Sequence, residues 1–175
     1  MLHCIQKHAN TKNIIILLLL FLLFQQVLFR HLLPQGEHAI MLDTQLFYTA
    51  EQAAGIINNY TDETRRGFIT GALTLDLVFP WIYTLLLGFL FVRYFKNSAI
   101  ALSPFLIMIF DYLENAGIVT MLAAFPRQFP ALIKLTAFFS GIKWTLLFII
   151  TALLLFGIFR KIWSYFHRNN YGLHQ

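Results

Sequence analysis

The chain is dominated by the stretch GFITGALTLDLVFPWIYTLLLGFLFV at residues 67–92, in which Asp76 is the single charged residue. A helix of this length rises about 39 Å at ~1.5 Å per residue, whereas the hydrocarbon core of a bilayer is about 30 Å thick. The stretch therefore predicts a membrane-spanning helix. Pro80 lies inside it, where proline removes one helical hydrogen-bond donor and frees a backbone carbonyl.

The composition of the whole chain agrees with a membrane location. Hydrophobic residues make up 58% of the 175 residues and charged residues 12%, with a mean hydropathy of +0.66. Soluble domains contain about 25% charged residues. We therefore expect an integral membrane protein of a single domain, all-α, built as a polytopic four-helix bundle, with no room for a separate soluble catalytic domain.

Four long, weakly charged segments are predicted to cross the bilayer. They cover approximately residues 13–33, 67–92, 98–125 and 130–159. The one sizeable loop, 34–66, is predicted to be extracytoplasmic. Within it Thr49-Ala-Glu-Gln52 has the form of a capping box, in which the Thr49 hydroxyl accepts from the Gln52 amide, and apolar residues follow at helical spacing. A short helix is therefore expected between spans 1 and 2.

Loop charges predict the orientation, because Lys and Arg near helix ends are retained in the cytoplasm. Seven cations and no acids collect on one side, namely Lys7, Lys12, Arg93, Lys96, Arg160, Lys161 and Arg168. The acids outside the spans all fall on the other side: Glu37, Asp43, Glu51, Asp62 and Glu63. Both termini are predicted to be cytoplasmic. The first span lacks a small-residue cleavage site after its apolar core, which predicts an uncleaved signal anchor.

Polar side chains inside the predicted spans form the candidate site. Asp76, Asp111, Glu114 and Lys143 all lie about 15–22 Å from the outer ends of their helices at ~1.5 Å per residue. Ionisable groups at this depth are costly, so they commonly mark a binding or proton-handling site. Four further polar residues are predicted to join this layer near the midplane: Tyr83, Asn115, Gln25 and Gln26.

The charges in this layer do not balance. Three acids and one amine, if all were ionised, would leave two uncompensated negative charges in a low-dielectric core. At least one acid is therefore expected to hold a proton, unless a cationic partner is present. The alternative interpretation is a structural one, in which these groups form hydrogen bonds between helices and serve only to fix the packing.

Several of these runs carry a resemblance to known proteins. Leu75–Tyr83 (LDLVFPWIY), Asp111–Ala116 (DYLENA) and Lys143-Trp144 resemble a pattern of small four-span bacterial membrane proteins of uncharacterised function. This resemblance covers about residues 47–144 and implies a bacterial inner-membrane protein, with no known activity. A more limited likeness, in span number and in an acid followed by Val-Phe-Pro, is to the sigma-2 receptor and emopamil-binding bundles. Those proteins bind lipophilic amines or sterols with membrane-embedded acids, and no catalytic role is carried over.

Three functional hypotheses follow. The first is a site for a lipophilic or amine-bearing small molecule, the second an acid/base enzyme acting on a lipophilic substrate, and the third a proton-coupled transporter or accessory subunit. The chain has no metal-binding spacing of Cys or His, no phosphate-binding loop and no nucleophile motif, so no metal and no cofactor are predicted. The expected partners are membrane lipids and the small molecule, and no nucleic acid. Oligomeric state is left open.

Overall fold

The computed structural model describes residues 1–28, 42–95, 98–127 and 129–171. These ranges are helical and contain no strand, which confirms the all-α class. The helices are α1 (Leu2–His8), α2 (Thr11–Leu23), α3 (Ala50–Asn58), α4 (Asp62–Tyr94), α5 (Pro104–Ala124) and α6 (Pro130–Tyr171). A π-helical turn, Phe24–Leu28, extends α2, and two 3₁₀ segments occupy Leu42–Thr44 and Ser98–Leu102.

Three helices within the described ranges are long and apolar enough to cross a membrane: α4, α5 with the residues that precede it, and α6. The helices α1 and α2 would supply a fourth span if they are taken together, although they are bent by 97° at the break between them. Residues 29–33 of the predicted first span, and 34–41 of the predicted loop, lie outside the described residues.

Local capping explains where α3 and α4 begin. Thr49 and Gln52 form the predicted capping box at the start of α3, with both of its hydrogen bonds present. Thr61 caps α4 by accepting from the Thr64 amide, so this helix starts at Asp62, before the predicted boundary at residue 67. At the other end of the chain, α6 continues to Tyr171, well beyond residue 159. No proline or glycine follows Gly157 in this helix to end it earlier.

The helix α4 continues through Pro80 without interruption. Proline cannot donate to the carbonyl four residues earlier, that of Asp76. The next carbonyl, that of Leu77, accepts a hydrogen bond of 2.7 Å from the Tyr112 hydroxyl of α5. The interruption of the α4 hydrogen-bond ladder is thus accompanied by a tertiary contact between α4 and α5.

Two apolar clusters enclose the polar layer from either end. One joins α3 and the segment before it to α5 and α6, and includes Tyr48, Ala53 and Met121. The other joins α1, α4, α5 and α6, and includes Ile5 and Phe91. Along the described helices, Asp76, Asp111, Glu114 and Lys143 lie between the levels of these two clusters.

The N-terminus, the α4–α5 connection and the last part of α6 share one end of the bundle. The Arg93 guanidinium donates to the Thr11 hydroxyl at 3.2 Å, and the Lys161 ammonium donates to the Arg93 carbonyl at 3.3 Å. These contacts bring together cations that the loop charges assign to a single side. Lys96 and the Arg168 side chain lie outside the described residues.

Candidate functional site

Lys143 lies at the centre of the polar layer, and its ammonium group contacts three oxygen atoms. Its Nζ lies 2.5 Å from Glu114 Oε2, 3.3 Å from Asp111 Oδ1 and 3.2 Å from the Asp43 carbonyl oxygen. The side chain is only 10% exposed. The ammonium group donates hydrogen bonds to the Asp43 carbonyl and to Asp111, and it forms an ion pair with Glu114. Lys143 is therefore already paired with groups of the protein.

Asp111 connects three helices. Its Oδ1 pairs with Lys143 of α6, and its Oδ2 accepts a hydrogen bond of 2.9 Å from the Tyr83 hydroxyl of α4. Asp111 and Glu114 are three residues apart, so they project from the same side of α5 toward Lys143. The predicted meeting of these residues is thus a consequence of helical spacing and of the close packing of α5 on α6.

Glu114 is the most deeply buried of the acids. Its side chain is completely inaccessible to solvent, whereas that of Asp111 is 15% exposed. Lys143 is the only cation in contact with it within the described ranges. Asn115, next in the chain, is also buried, and it lines a small cavity of about 30 Å³ together with Asp43 and Asp76.

Asp43 is a member of the site that the sequence did not assign to it. Its place in the predicted extracytoplasmic loop put it among the acids outside the membrane, yet the chain returns into the bundle at Leu42–Thr44. Leu42 is buried in the apolar cluster that includes Tyr48 and Met121, and the Ser140 hydroxyl donates to the Gln45 carbonyl at 3.2 Å. The sequence signal for this return is weak: the apolar run Ile40-Met41-Leu42 that directly precedes Asp43.

Two polar side chains of α6 stabilise the return. Lys143 and Ser140 both donate to backbone carbonyls of this segment, those of Asp43 and Gln45. Burial raises the pKa of the Asp43 carboxyl; the nearby Lys143 ammonium opposes that shift and the Asp111 carboxylate adds to it. The backbone amides of Asp43 and Thr44 donate to this carboxyl.

Asp76 differs from the other acids of the site because it has no direct partner among the described residues. It forms no hydrogen bond and no ion pair within the part of the chain that the structure describes. Asp43 of the returning segment, another acid, lines the same cavities as Asp76. Both carboxyl groups line the 30 Å³ cavity and also a much larger one.

The larger cavity has a volume of about 500 Å³ and lies between α2, α4, α5 and α6. One end of the cavity carries the polar groups and the other end is apolar. Asp76 and Leu87 mark the two ends on α4 and are about 16 Å apart at ~1.5 Å per residue. The polar end is lined by Gln25, Asp43, Thr44, Asp76, Tyr83, Asp111 and Lys143. The remainder is lined by Phe21, Phe79, Leu86, Leu87, Ile107, Trp144, Leu147 and Thr151. The cavity is thus amphiphilic.

The helix α2 forms one wall of this cavity through aromatic contacts. The Phe21 ring stacks on Phe79 of α4 with centroids 5.4 Å apart, and Phe79 meets Tyr83 edge to face at 5.6 Å. No residue of α2 itself is buried. Of the two predicted glutamines, Gln25 lines the cavity and Gln26 does not.

The assembled site contains more negative charge than the sequence predicted. Asp43, Asp76, Asp111 and Glu114 surround one amine, that of Lys143, so full ionisation would leave three uncompensated negative charges. The acids are arranged around Lys143 and along the cavity wall, and no three acid, His or Cys side chains in the described ranges converge to bind a metal ion.

No protein-family model, curated protein or solved structure gives a significant match to this chain. The geometry of the site and the chemistry of its residues therefore carry the functional argument.

Proposed function

We propose that this chain is a four-span membrane protein, with both termini in the cytoplasm, that binds a lipophilic organic cation in its central cavity. One observation carries the proposal: Asp76, an acid without a partner among the described residues, lines an amphiphilic cavity of about 500 Å³. A carboxyl group in such a position is complementary to an amine or another organic cation.

The polar end of the cavity favours a cation over an anion. Lys143 is the one cationic side chain among the residues that line the cavity, and its ammonium group is already paired with the Asp43 carbonyl, Asp111 and Glu114. A phosphate or carboxylate placed there would meet several acids and a lysine that is already paired. An ammonium group would instead reduce the excess of negative charge.

The shape and lining of the cavity favour a lipophilic molecule. Its volume lies within the range of about 300–1,000 Å³ typical of small-molecule sites. Apart from the polar groups, the cavity walls consist mainly of aromatic and aliphatic side chains, including Phe79, Trp144 and Leu147. A ligand with a cationic group at one end and an apolar body would place each part against groups of matching polarity.

The structural alternative predicts a different outcome for Asp76. Interhelical hydrogen bonds and ion pairs account for Tyr83, Asp111, Glu114 and Lys143. Asp76 contributes no hydrogen bond to the packing of the described helices. A purely structural polar core therefore leaves this acid without a role, and its removal tests the two interpretations.

The test measures binding of tetraphenylphosphonium, a lipophilic cation, to the purified protein by equilibrium dialysis. Tetraphenylborate, an anion of the same shape, is the matched ligand control. Asp62→Asn is the matched protein control, because Asp62 lies on the same helix with its side chain 87% exposed. Asp76→Asn is expected to weaken binding of the cation at least tenfold, since a lost buried charge pairing amounts to more than 1.4 kcal/mol.

Two results would overturn the proposal. One is equal binding of the cation and the anion by the wild-type protein. The other is an affinity of the Asp76→Asn variant for the cation that matches that of Asp62→Asn.

A further inference from the structure

Asp43 and Asp76 lie at the polar end of the cavity and are called the Asp43–Asp76 pair below. Neither forms an ion pair with a cation in the part of the chain that the structure describes. Lys143 forms ion pairs with Asp111 and Glu114, and it contacts Asp43 only at the backbone carbonyl. The two carboxyl groups of the pair come from different elements, the returning segment and α4, and line the same two cavities.

We propose that the Asp43–Asp76 pair holds a proton when the cavity is empty and releases it when an organic cation binds, so that the site exchanges one for the other. This inference rests on the proposed function and adds the coupling of ligand binding to proton release. In the exchange, one O–H bond of a carboxylic acid breaks, its proton passes to bulk water, and the carboxylate that remains pairs with the cation.

The charges that face the pair explain why a proton is needed. Asp111 and Glu114 come from α5 and Lys143 from α6, and two tyrosines, Tyr60 and Tyr83, also line the cavities. Within the described ranges Lys143 is the only cation among these groups. Ionising both members of the pair would therefore add two like charges to a layer where two acids already share one amine. Mutual repulsion and removal from water both oppose that state.

The local contacts favour exchange over permanent protonation. The Asp43 carboxyl accepts hydrogen bonds from the backbone amides of Asp43 and Thr44, which support its ionised form. Asp76 has no donor among the described residues. Replacing the proton by an organic cation leaves the total charge of the layer unchanged, so the exchange carries no electrostatic penalty from the surrounding acids.

Titration calorimetry of the purified protein with tetraphenylphosphonium tests the exchange. Each titration is repeated in phosphate and in Tris, whose ionisation enthalpies differ, because the difference in heat reports the protons released. About one proton per bound cation is expected near neutral pH. By linkage, the affinity should then rise about tenfold per pH unit over the range in which the empty pair is protonated.

The variant Asp43→Asn identifies the source of the proton. It retains the backbone carbonyl that contacts Lys143, so the packing of the returning segment is expected to persist. Removing one of the two carboxylates removes the repulsion that retains the proton on the other. The variant is therefore expected to bind the cation but to release less than half as many protons, whereas Asp62→Asn should release as many as the wild type.

The outcomes separate the two proposals. If the wild-type protein does not bind tetraphenylphosphonium, the proposed function fails and the exchange with it. If it binds the cation with equal heats in the two buffers and no dependence on pH, only the exchange is wrong. Undiminished proton release by a folded Asp43→Asn variant would also overturn the exchange, since the proton would then come from elsewhere.

Discussion

Replacing Lys143 by methionine should destabilise the bundle strongly, because Glu114 would lose its only contacting cation among the described residues. Glu114 is completely buried and its Oε2 lies 2.5 Å from Lys143 Nζ. Breaking a buried ion pair from one side costs about 3–5 kcal/mol, since the remaining charge stays uncompensated. For a protein of this size, that corresponds to a fall of roughly 6–20 °C in the unfolding midpoint.

A matched surface pair sets the scale for this effect. Arg65 and Asp62 also form an ion pair, but the Asp62 side chain is 87% exposed. Exposed pairs contribute about 0–1 kcal/mol. The variant Asp62→Asn should therefore lower the unfolding midpoint by no more than a few degrees, and the two variants can be compared in the same detergent by thermal unfolding.

The double variant Lys143→Met/Glu114→Gln tests the cause. If the loss arises from the uncompensated carboxylate of Glu114, neutralising it should recover at least half of the lost stability. Adding Asp111→Asn to Lys143→Met should recover less stability. In the Lys143→Met variant, Asp111 still accepts the Tyr83 hydrogen bond and keeps some contact with solvent. The reasoning is refuted if Lys143→Met is no less stable than Asp62→Asn, or if the Glu114 change brings no recovery.

Three further predictions concern packing, the polar layer and topology. Gly117→Ala should cost about 1–3 kcal/mol of unfolding free energy, because a Cβ there would overlap the Thr136 side chain, and adding Thr136→Ala should restore most of it; an unchanged midpoint would contradict the close approach of α5 and α6. Tyr83→Phe should lose about 1.5 kcal/mol with its hydrogen bond to Asp111, measured by thermal unfolding, and a loss below about 0.5 kcal/mol would argue against that bond. Cys4, which is exposed, should react with a membrane-impermeant maleimide in inverted vesicles but not in intact cells; labelling of intact cells would reverse the proposed orientation.

The helical class and much of the polar layer could be predicted because they depend on local spacing. Long apolar runs define where α4, α5 and α6 lie, and the capping box at Thr49 depends on residues three apart. Asp111 and Glu114 share a face of α5 by their separation alone. A buried lysine on the neighbouring helix needs an acid as its partner. The contact of Lys143 with Asp111 and Glu114 could therefore be anticipated.

Other features could not be read from local patterns. The helix α1, which precedes the predicted first span, was not anticipated, and neither was the bend of 97° between it and α2. Gln25 and Gln26 were equivalent by depth, yet only Gln25 lines the cavity, because adjacent residues of a helical turn project in different directions. The structure of residues 29–41 lies outside the described ranges, so the end of the predicted first span stays a prediction.

The amino-acid sequence determined that this is a helical membrane protein with costly charges at one depth, because hydropathy and helical periodicity act over a few turns. The fold alone placed Asp43 beside Lys143, left Asp76 without a partner among the described residues and opened a cavity that all three residues line. Those features depend on where the segment at Leu42–Thr44 packs between the helices and on which side chains it contacts there. Such choices are made by contacts between residues up to 100 positions apart, as in the hydrogen bond from Lys143 to Asp43.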